Sequence, residues 1–233
     1  MKKKIFTLFL LTLVLINIST SAQDVKFFCD FSDWQKTIDF AEYKKTVGDY
    51  FIMKMTEGNG YCSQRFDEKK MLADSVGLDF SIYHFARPNR NLPEAEADYV
   101  AKMYKKKNLK CDIFLDFEEY ISLNNGNIDY EACAEWCERF FIRLRKKIPN
   151  VDKKIYSSYT FLTYLQGKSY ATLWLAAYPY NGNFVDFEAF YNGLPAKYKE
   201  KYFEVCDIWQ FSSKYKNVKI CDGYLDINAM KLN

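Results

Sequence analysis

Short apolar runs recur along the whole chain, with amphipathic helical patterns between most of them, and this alternation constrains the fold more than any other feature. Val25–Asp30, Tyr50–Met55, Leu78–Phe85, Asp112–Phe117, Lys154–Ser157, Leu173–Ala176, Val205–Gln210 and Tyr224–Ile227 read as strands. Ile38–Lys45, Phe66–Ser75, Pro93–Lys107, Tyr130–Ile148 and Phe161–Gln166 carry apolar residues at helical spacing, and Asn127-Ile128-Asp129 offers an N-cap for the longest. Strand alternating with helix predicts a parallel sheet. Eight strands with too few helices predict an α/β fold, an irregular TIM-like (β/α) barrel with eight strands and fewer helices.

In such a barrel, chemistry belongs at the C-terminal ends of the strands. Acids stand at that place in this chain. Asp30 closes Val-Lys-Phe-Phe-Cys-Asp, Asp116 and Glu118 close Cys-Asp-Ile-Phe-Leu-Asp-Phe-Glu, and Asp226 sits in Gly-Tyr-Leu-Asp-Ile-Asn. An acid ending an apolar strand sits where burying charge is costly, so it needs a reason. Asp116 and Glu118 are two apart, which turns both side chains to one face. Like charges that close push at least one pKa upward, and a carboxyl that keeps its proton near neutral pH is what a general acid requires. Paired acids in a cleft suit the cleavage of a glycosidic bond.

Charge and cysteine content narrow the class. Lys2, Lys3 and Lys4 precede an apolar stretch from Ile5 to Ile18, and Thr20-Ser21-Ala22 offers a cleavage site before Gln23. The expected organisation is a signal peptide over residues 1–22 and one catalytic barrel over residues 23–233, secreted to the outside or to a periplasm. The apolar stretch falls short of the ~20 residues of a membrane span, and Gln23 in place of Cys argues against a lipid anchor. Without the three signal lysines the chain has 30 basic and 30 acidic residues, a balance that speaks against nucleic acid as a partner. Lys105–Lys107 and Arg143–Lys147 read as solvated helix faces.

Export permits disulfides. The seven cysteines, Cys29, Cys62, Cys111, Cys133, Cys137, Cys206 and Cys221, leave at least one unpaired. Cys206 with Cys221 is the expected bridge. Cys133 and Cys137, one helical turn apart, are too widely spaced to pair with each other. His84 is the single histidine and no pair of CxxC motifs exists, so no metal or organic cofactor is expected.

Eight motifs in order sharpen the assignment. They are Asp30-Phe-Ser-Asp-Trp-Gln35, Lys54-Met-Thr-Glu-Gly58, Tyr83-His-Phe-Ala-Arg87, Leu115-Asp-Phe-Glu118, Tyr156-Ser-Ser158, Leu173-Trp-Leu-Ala176, Trp209-Gln-Phe-Ser212 and Asp226-Ile-Asn228. Each alone is weak. In series, over essentially all of the chain after the signal, they resemble glycoside hydrolase family 25, the Chalaropsis-type lysozymes. The resemblance implies an irregular eight-stranded barrel and N-acetylmuramidase activity on the β-1,4 bond from N-acetylmuramic acid to N-acetylglucosamine in peptidoglycan.

The family's four active-site carboxylates map onto Asp30, Asp116, Glu118 and Asp226. By that resemblance Glu118 is the general acid, Asp116 tunes it, and Asp30 and Asp226 position water or the substrate's acetamido group. Whether the nucleophile is an enzyme carboxylate or that acetamido group stays open. Tyr83, Tyr156, Trp174 and Trp209 are expected to stack on sugars or fix carboxylates, and Arg87 to meet an acid or the substrate's lactyl carboxylate. His84 is expected as a hydrogen-bonded support, and Lys54 with Glu57 as a structural pair.

Three departures stand out. Ser81-Ile82 replaces the family's small Gly-Ala pair, and the bulkier Ile82 is expected to narrow one cleft wall; Phe211 stands in place of a Tyr and removes a hydroxyl, which is expected to alter substrate fit; and the Cys content is higher than the family's. The expected partner is a peptidoglycan glycan strand, met by a monomer with no membrane anchor. Two other functions compete: a noncatalytic glycan-binding barrel, and a hydrolase of another N-acetylated glycan such as chitin.

Overall fold

The computed structural model describes residues 25–232, so the signal-peptide segment lies outside the described residues. Nine strands and seven helices follow in the order β1 (Val25–Phe31), α1 (Phe40–Thr46), β2 (Tyr50–Glu57), β3 (Tyr61–Cys62), α2 (Phe66–Ser75), β4 (Asp79–Phe85), α3 (Pro93–Lys106), β5 (Ile113–Asp116), α4 (Tyr130–Lys147), β6 (Lys154–Ser158), α5 (Tyr159–Leu165), β7 (Thr172–Ala176), α6 (Phe187–Gly193), α7 (Ala196–Phe203), β8 (Ile208–Lys216) and β9 (Tyr224–Lys231). Eight of the strands close into a barrel, because β1 pairs with β2 on one side and with β9 on the other. β3 is a short hairpin extension of β2.

The expected barrel and all eight of its strands are present, with one correction to the sheet. β9 runs antiparallel to both β1 and β8, so the sheet is mixed. The cause lies in the connection: only residues 217–223 join β8 to β9, too few for a crossover helix. The five expected helices are observed within one or two residues of their bounds, and Asp129 caps α4 by accepting from the Ala132 backbone N–H at 2.9 Å. Helices α6 and α7 lie in a stretch with no helical expectation. Asp186 caps α6 in the same manner, with Ala189 N–H at 2.9 Å.

Period-two alternation divides each strand between two cores. Phe28, Ile52, Tyr83, Phe114, Tyr156, Trp174 and Ile208 point inward and fill the barrel. Their neighbours, among them Cys29, Met53, Ile82, Leu115, Ile155, Leu175, Trp209 and Phe211, point outward and pack under the helices. That parity corrects two expectations about the cleft. Ile82 is fully buried in the outer layer, and it is Ser81 that turns inward, where Tyr50 Oη donates to its Oγ at 2.9 Å. Phe211 packs against Phe27 and Tyr191 in the outer layer, so its missing hydroxyl does not touch the barrel mouth.

The cysteines follow the same logic. All seven are free, and Cys206 and Cys221 do not form the expected bridge. Each thiol donates instead to a nearby carbonyl, Cys206 to Tyr202 at 3.2 Å and Cys221 to Gly223 at 3.6 Å. Of the two basic runs, Arg143 is tied to α3 by a two-pronged pair with Asp98 at 2.7 and 2.8 Å.

Candidate active site

The strands bring their acids to one mouth. A cavity of about 270 Å³ opens there, lined by Asp30, Asp116, Glu118 and Asp226 together with Lys54, Gln210 and several aromatic side chains. Asp30 is the penultimate residue of β1 and Asp116 ends β5, while Glu118 follows two residues later on the same face. Asp226 reaches the mouth by a different route. It is the third residue of β9, and because β9 runs backwards its beginning lies level with the ends of the other strands, directly opposite Asp30.

Burial and mutual repulsion raise all four carboxyls. Burial pushes Asp30 up to about 6, aided by the Glu118 charge and resisted by hydrogen bonds from Asn228 and Gln210. Asp116 is held well above the carboxylate range by burial, then by the Glu118 charge and a hydrogen bond shared with Glu118. Its Oδ1 is buried without any partner, as suits a carboxyl that keeps its proton. Glu118 is raised by burial, while the Asp116 hydrogen bond and the Lys54 charge pull it back. Asp226 is raised well above its usual value by burial, then by the Asp30 and Glu118 charges. Asp116 is nearly inaccessible beneath Glu118, which is the exposed member of the pair.

An amide framework fixes Asp30. Gln210 Nε2 and Asn228 Nδ2 donate to its Oδ2 at 2.7 and 2.9 Å. Trp174 Nε1 donates to Asn228 Oδ1 at 2.7 Å, and Tyr156 Oη donates to Gln210 Oε1 at 2.9 Å, with Tyr178 Oη on the same oxygen. Asp30 therefore sits at the end of a relay that includes two of the expected site aromatics. Tyr83, Tyr156 and Trp174 all line the cavity, as a floor rather than a rim, for each is buried.

Two expected site residues lie elsewhere. Trp209 is fully buried in the outer layer, with Nε1 donating to the Ala177 carbonyl at 2.8 Å. It neighbours Ile208 and Gln210, both inward, so strand parity turns it away from the mouth. Arg87 does not line the cavity. Its guanidinium is engaged by Glu57 at 2.5 Å and by Glu119, so it pairs with acids other than the four in the mouth. Lys54 makes the expected pair with Glu57 at 2.5 Å but also faces the cavity, where its charge opposes the rise of both Asp116 and Glu118. His84 is a fully buried support in the outer layer, with Nδ1 2.9 Å from Thr56 Oγ1 and Nε2 2.8 Å from Glu96 Oε2.

Sequence reasoning missed Gln210, Asn228, Tyr178 and Trp34 as members of the site. The first two were legible by parity, each two residues from an inward-facing neighbour on its strand. Tyr178 lies in a loop after β7, where no periodicity applies.

Comparison with known proteins bears on the family and the fold. A family model, Glycosyl hydrolases family 25, matches residues 29–220. Lysozyme M1 of Streptomyces globisporus is 38% identical over 72 residues, which is 31% of this chain and 24% of that protein, so the match spans about a quarter of the curated relative's length. Among solved structures, the catalytic domain of an endolysin from a bacteriophage of Listeria monocytogenes superposes with a TM-score of 0.65 at 21% identity, over 90% of this chain and 95% of that one. A lysozyme from Streptomyces coelicolor gives 0.63 at 22% over 88% and 91%, and a family 25 glycosyl hydrolase from Bacillus anthracis gives 0.65 at 17% over 89% of each chain. At these identities the structures speak for the fold, and the family model, matched over most of the chain, speaks for descent: the chain belongs to glycosyl hydrolase family 25.

Proposed function

We propose that the protein is a muramidase that hydrolyses the β-1,4 bond between N-acetylmuramic acid and N-acetylglucosamine in peptidoglycan. The observation that carries this reading is the convergence of Asp30, Asp116, Glu118 and Asp226 on one cavity, all with raised pKa values, in a chain of this family. Four carboxyls so close cannot all ionise, so the cluster carries protons into the pH range where a glycosidic oxygen needs one.

Glu118, the accessible member, is the general acid in this proposal. Asp116, protonated beneath it, tunes it through their hydrogen bond, and the proton that Glu118 gives to the leaving oxygen is returned to the cluster by the water that adds to the anomeric carbon. As the glycosidic bond breaks, positive charge grows on the sugar, and the ionised members of the cluster stabilise it. Asp30, pinned by Gln210 and Asn228, and Asp226 opposite it orient water or the 2-acetamido group on the other side of the mouth. Lys2 to Ala22 support export to the compartment where peptidoglycan lies, and the enzyme acts as a monomer. Among the described residues no helix is long and apolar enough to cross a membrane.

The test is reducing-end analysis of purified sacculi digested by the wild type and by Glu118→Gln. N-acetylmuramic acid at new reducing ends, absent with the variant, is expected. Glycan binding without new ends in the wild type would replace this reading with a binding barrel.

A further inference from the structure

The loop after β1 presents an indole to solvent beside the acids. Trp34 is 89% exposed, whereas Trp136, Trp174 and Trp209 are at most 5% exposed. A lone exposed aromatic on a loose loop would need no explanation. This loop is not loose. Ser32 N–H donates to Gln35 Oε1 at 2.9 Å, and Ser32 Oγ accepts from the Trp34 backbone N–H at 3.2 Å. Gln35 Nε2 donates to the Tyr224 carbonyl at 3.1 Å, anchoring the loop to β9. Asp33 accepts from Ser63 Oγ at 2.6 Å and Tyr61 Oη at 2.8 Å, anchoring it to the β2–β3 hairpin, and Lys69 Nζ donates to the Ser32 carbonyl. Six side chains thus hold a turn whose most prominent group is left in water.

The position of that group says what it is for. Trp34 lines the same cavity as the four acids. Going round the barrel from β1 through β2 and β4, Glu118, just past the end of β5, is three strands away, so the indole and the acid flank the cavity from different sides. Of the other aromatics of the cavity, Tyr83, Tyr156 and Trp174 are buried in its floor, Phe85 is half-buried with Lys54 and Arg87 over its ring, and Tyr178, 40% exposed, is tied by its hydroxyl to Gln210, so Trp34 is by far the most open ring at the mouth. An indole face matches the axial C–H face of a pyranose, and covering it recovers apolar area from water at no desolvation cost to polar groups.

We infer that Trp34 is a sugar-stacking platform, a binding residue that seats a hexopyranose ring of the glycan strand beside the ring being cleaved. This rests on the reading of the cavity as the glycan site. It adds a subsite at which affinity is gained through a ring face and not through charge. Because the loop is anchored before ligand arrives, the ordering cost of docking is confined to the Trp34 side chain.

The other three tryptophans are buried, so the solvent-exposed part of the chain's indole emission belongs to Trp34. The test titrates Glu118→Gln with soluble strands of alternating N-acetylglucosamine and N-acetylmuramic acid released from sacculi by amidase. A blue shift and protection from acrylamide quenching are expected on binding. Trp34→Phe loses the optical change and keeps affinity within a few fold, whereas Trp34→Ala weakens binding roughly tenfold, with an unchanged unfolding transition because the side chain packs on nothing. In the active enzyme the Trp34→Ala loss falls on KM and not on kcat. Unchanged emission at saturating glycan, or full affinity in Trp34→Ala, overturns the platform. If the wild type cleaves sacculi while Trp34 stays silent, the platform fails and the muramidase reading stands. If the wild type cleaves nothing but chitin oligomers quench-protect Trp34, the muramidase reading fails and the platform stands.

Discussion

Asp30 on β1 and Asp226 on β9 face each other directly across an antiparallel strand pair, both on the wall of one cavity. Like charges in that relation oppose folding, and both carboxyls are accordingly raised, Asp30 to about 6 and Asp226 well above its usual value. A raised folded-state pKa means that the folded chain binds the proton more tightly than the unfolded one. The stabilisation is therefore complete below the unfolded carboxylate pKa of about 4, and it is lost as pH rises through the folded values. Thermal unfolding followed from about pH 4 to about pH 7 is expected to show a falling Tm. Asp226→Asn, which removes one of the opposed charges, is expected to raise Tm at the upper end and flatten the profile while activity is lost. A Tm at or below that of the wild type throughout would show that the charge opposition costs the fold nothing.

Lys54 supplies a positive charge at the cavity wall, and it lowers both Asp116 and Glu118. Replacing it with Met leaves the methylene stem and removes the charge. Both carboxyls then rise further, so the pair keeps its proton to higher pH. The alkaline limb of the pH–rate profile for sacculus clearing is expected to move upward in Lys54→Met. An unmoved limb would mean that the Lys54 charge is spent on Glu57, with which it pairs at 2.5 Å.

Strand periodicity and motif order made the barrel and its four acids legible from sequence, since apolar runs ending in an acid leave few places for the acid to go. Three things were harder to read for physical reasons. The direction of β9 depends on the length of a connection and leaves no mark on the strand itself. Helices α6 and α7 are seven and eight residues long, and their apolar positions Phe187, Tyr191 and Phe203 are too few to set a period. The assignment of Trp209 and Arg87 to the site followed motif membership, whereas parity places Trp209 with the outer layer and local acids capture Arg87. Parity also recovers Gln210 and Asn228, which hold Asp30.

Arg87 joins two segments of the mouth without entering it. Its guanidinium bridges Glu57, the partner of Lys54, to Glu119, the residue after the proposed acid, and its backbone N–H donates to the buried Glu96 at 3.1 Å. Arg87→Met frees Glu119 and lets the Glu118 loop drift. Small misplacement of a catalytic group is expensive, so kcat is expected to fall by about 10- to 100-fold with KM nearly unchanged. Arg87→Lys, which lacks the fork needed to hold two carboxylates at once, is expected to restore only part of the loss. Steady-state kinetics on soluble glycan strands read both. A loss confined to KM would instead make Arg87 a substrate contact.

Two tryptophans on neighbouring strands test the division between the cores. Trp209 packs within 4.9 Å of the Tyr202 ring centroid and donates to the Ala177 carbonyl in the outer layer. Trp174 donates to Asn228, which in turn holds Asp30. Trp209→Phe keeps a ring and leaves a carbonyl unpaired, at a cost of about 1–3 kcal/mol. Urea denaturation is expected to show that loss, while kcat/KM per folded molecule stays within about twofold. Trp174→Phe removes a hydrogen bond of the same kind, yet its loss frees Asn228 to release Asp30, so kcat is expected to fall about tenfold or more alongside any loss of stability. The two substitutions thus separate packing from positioning on adjacent strands: equal effects on kcat would mean that the outer layer and the cavity floor are not the independent cores that strand parity makes them.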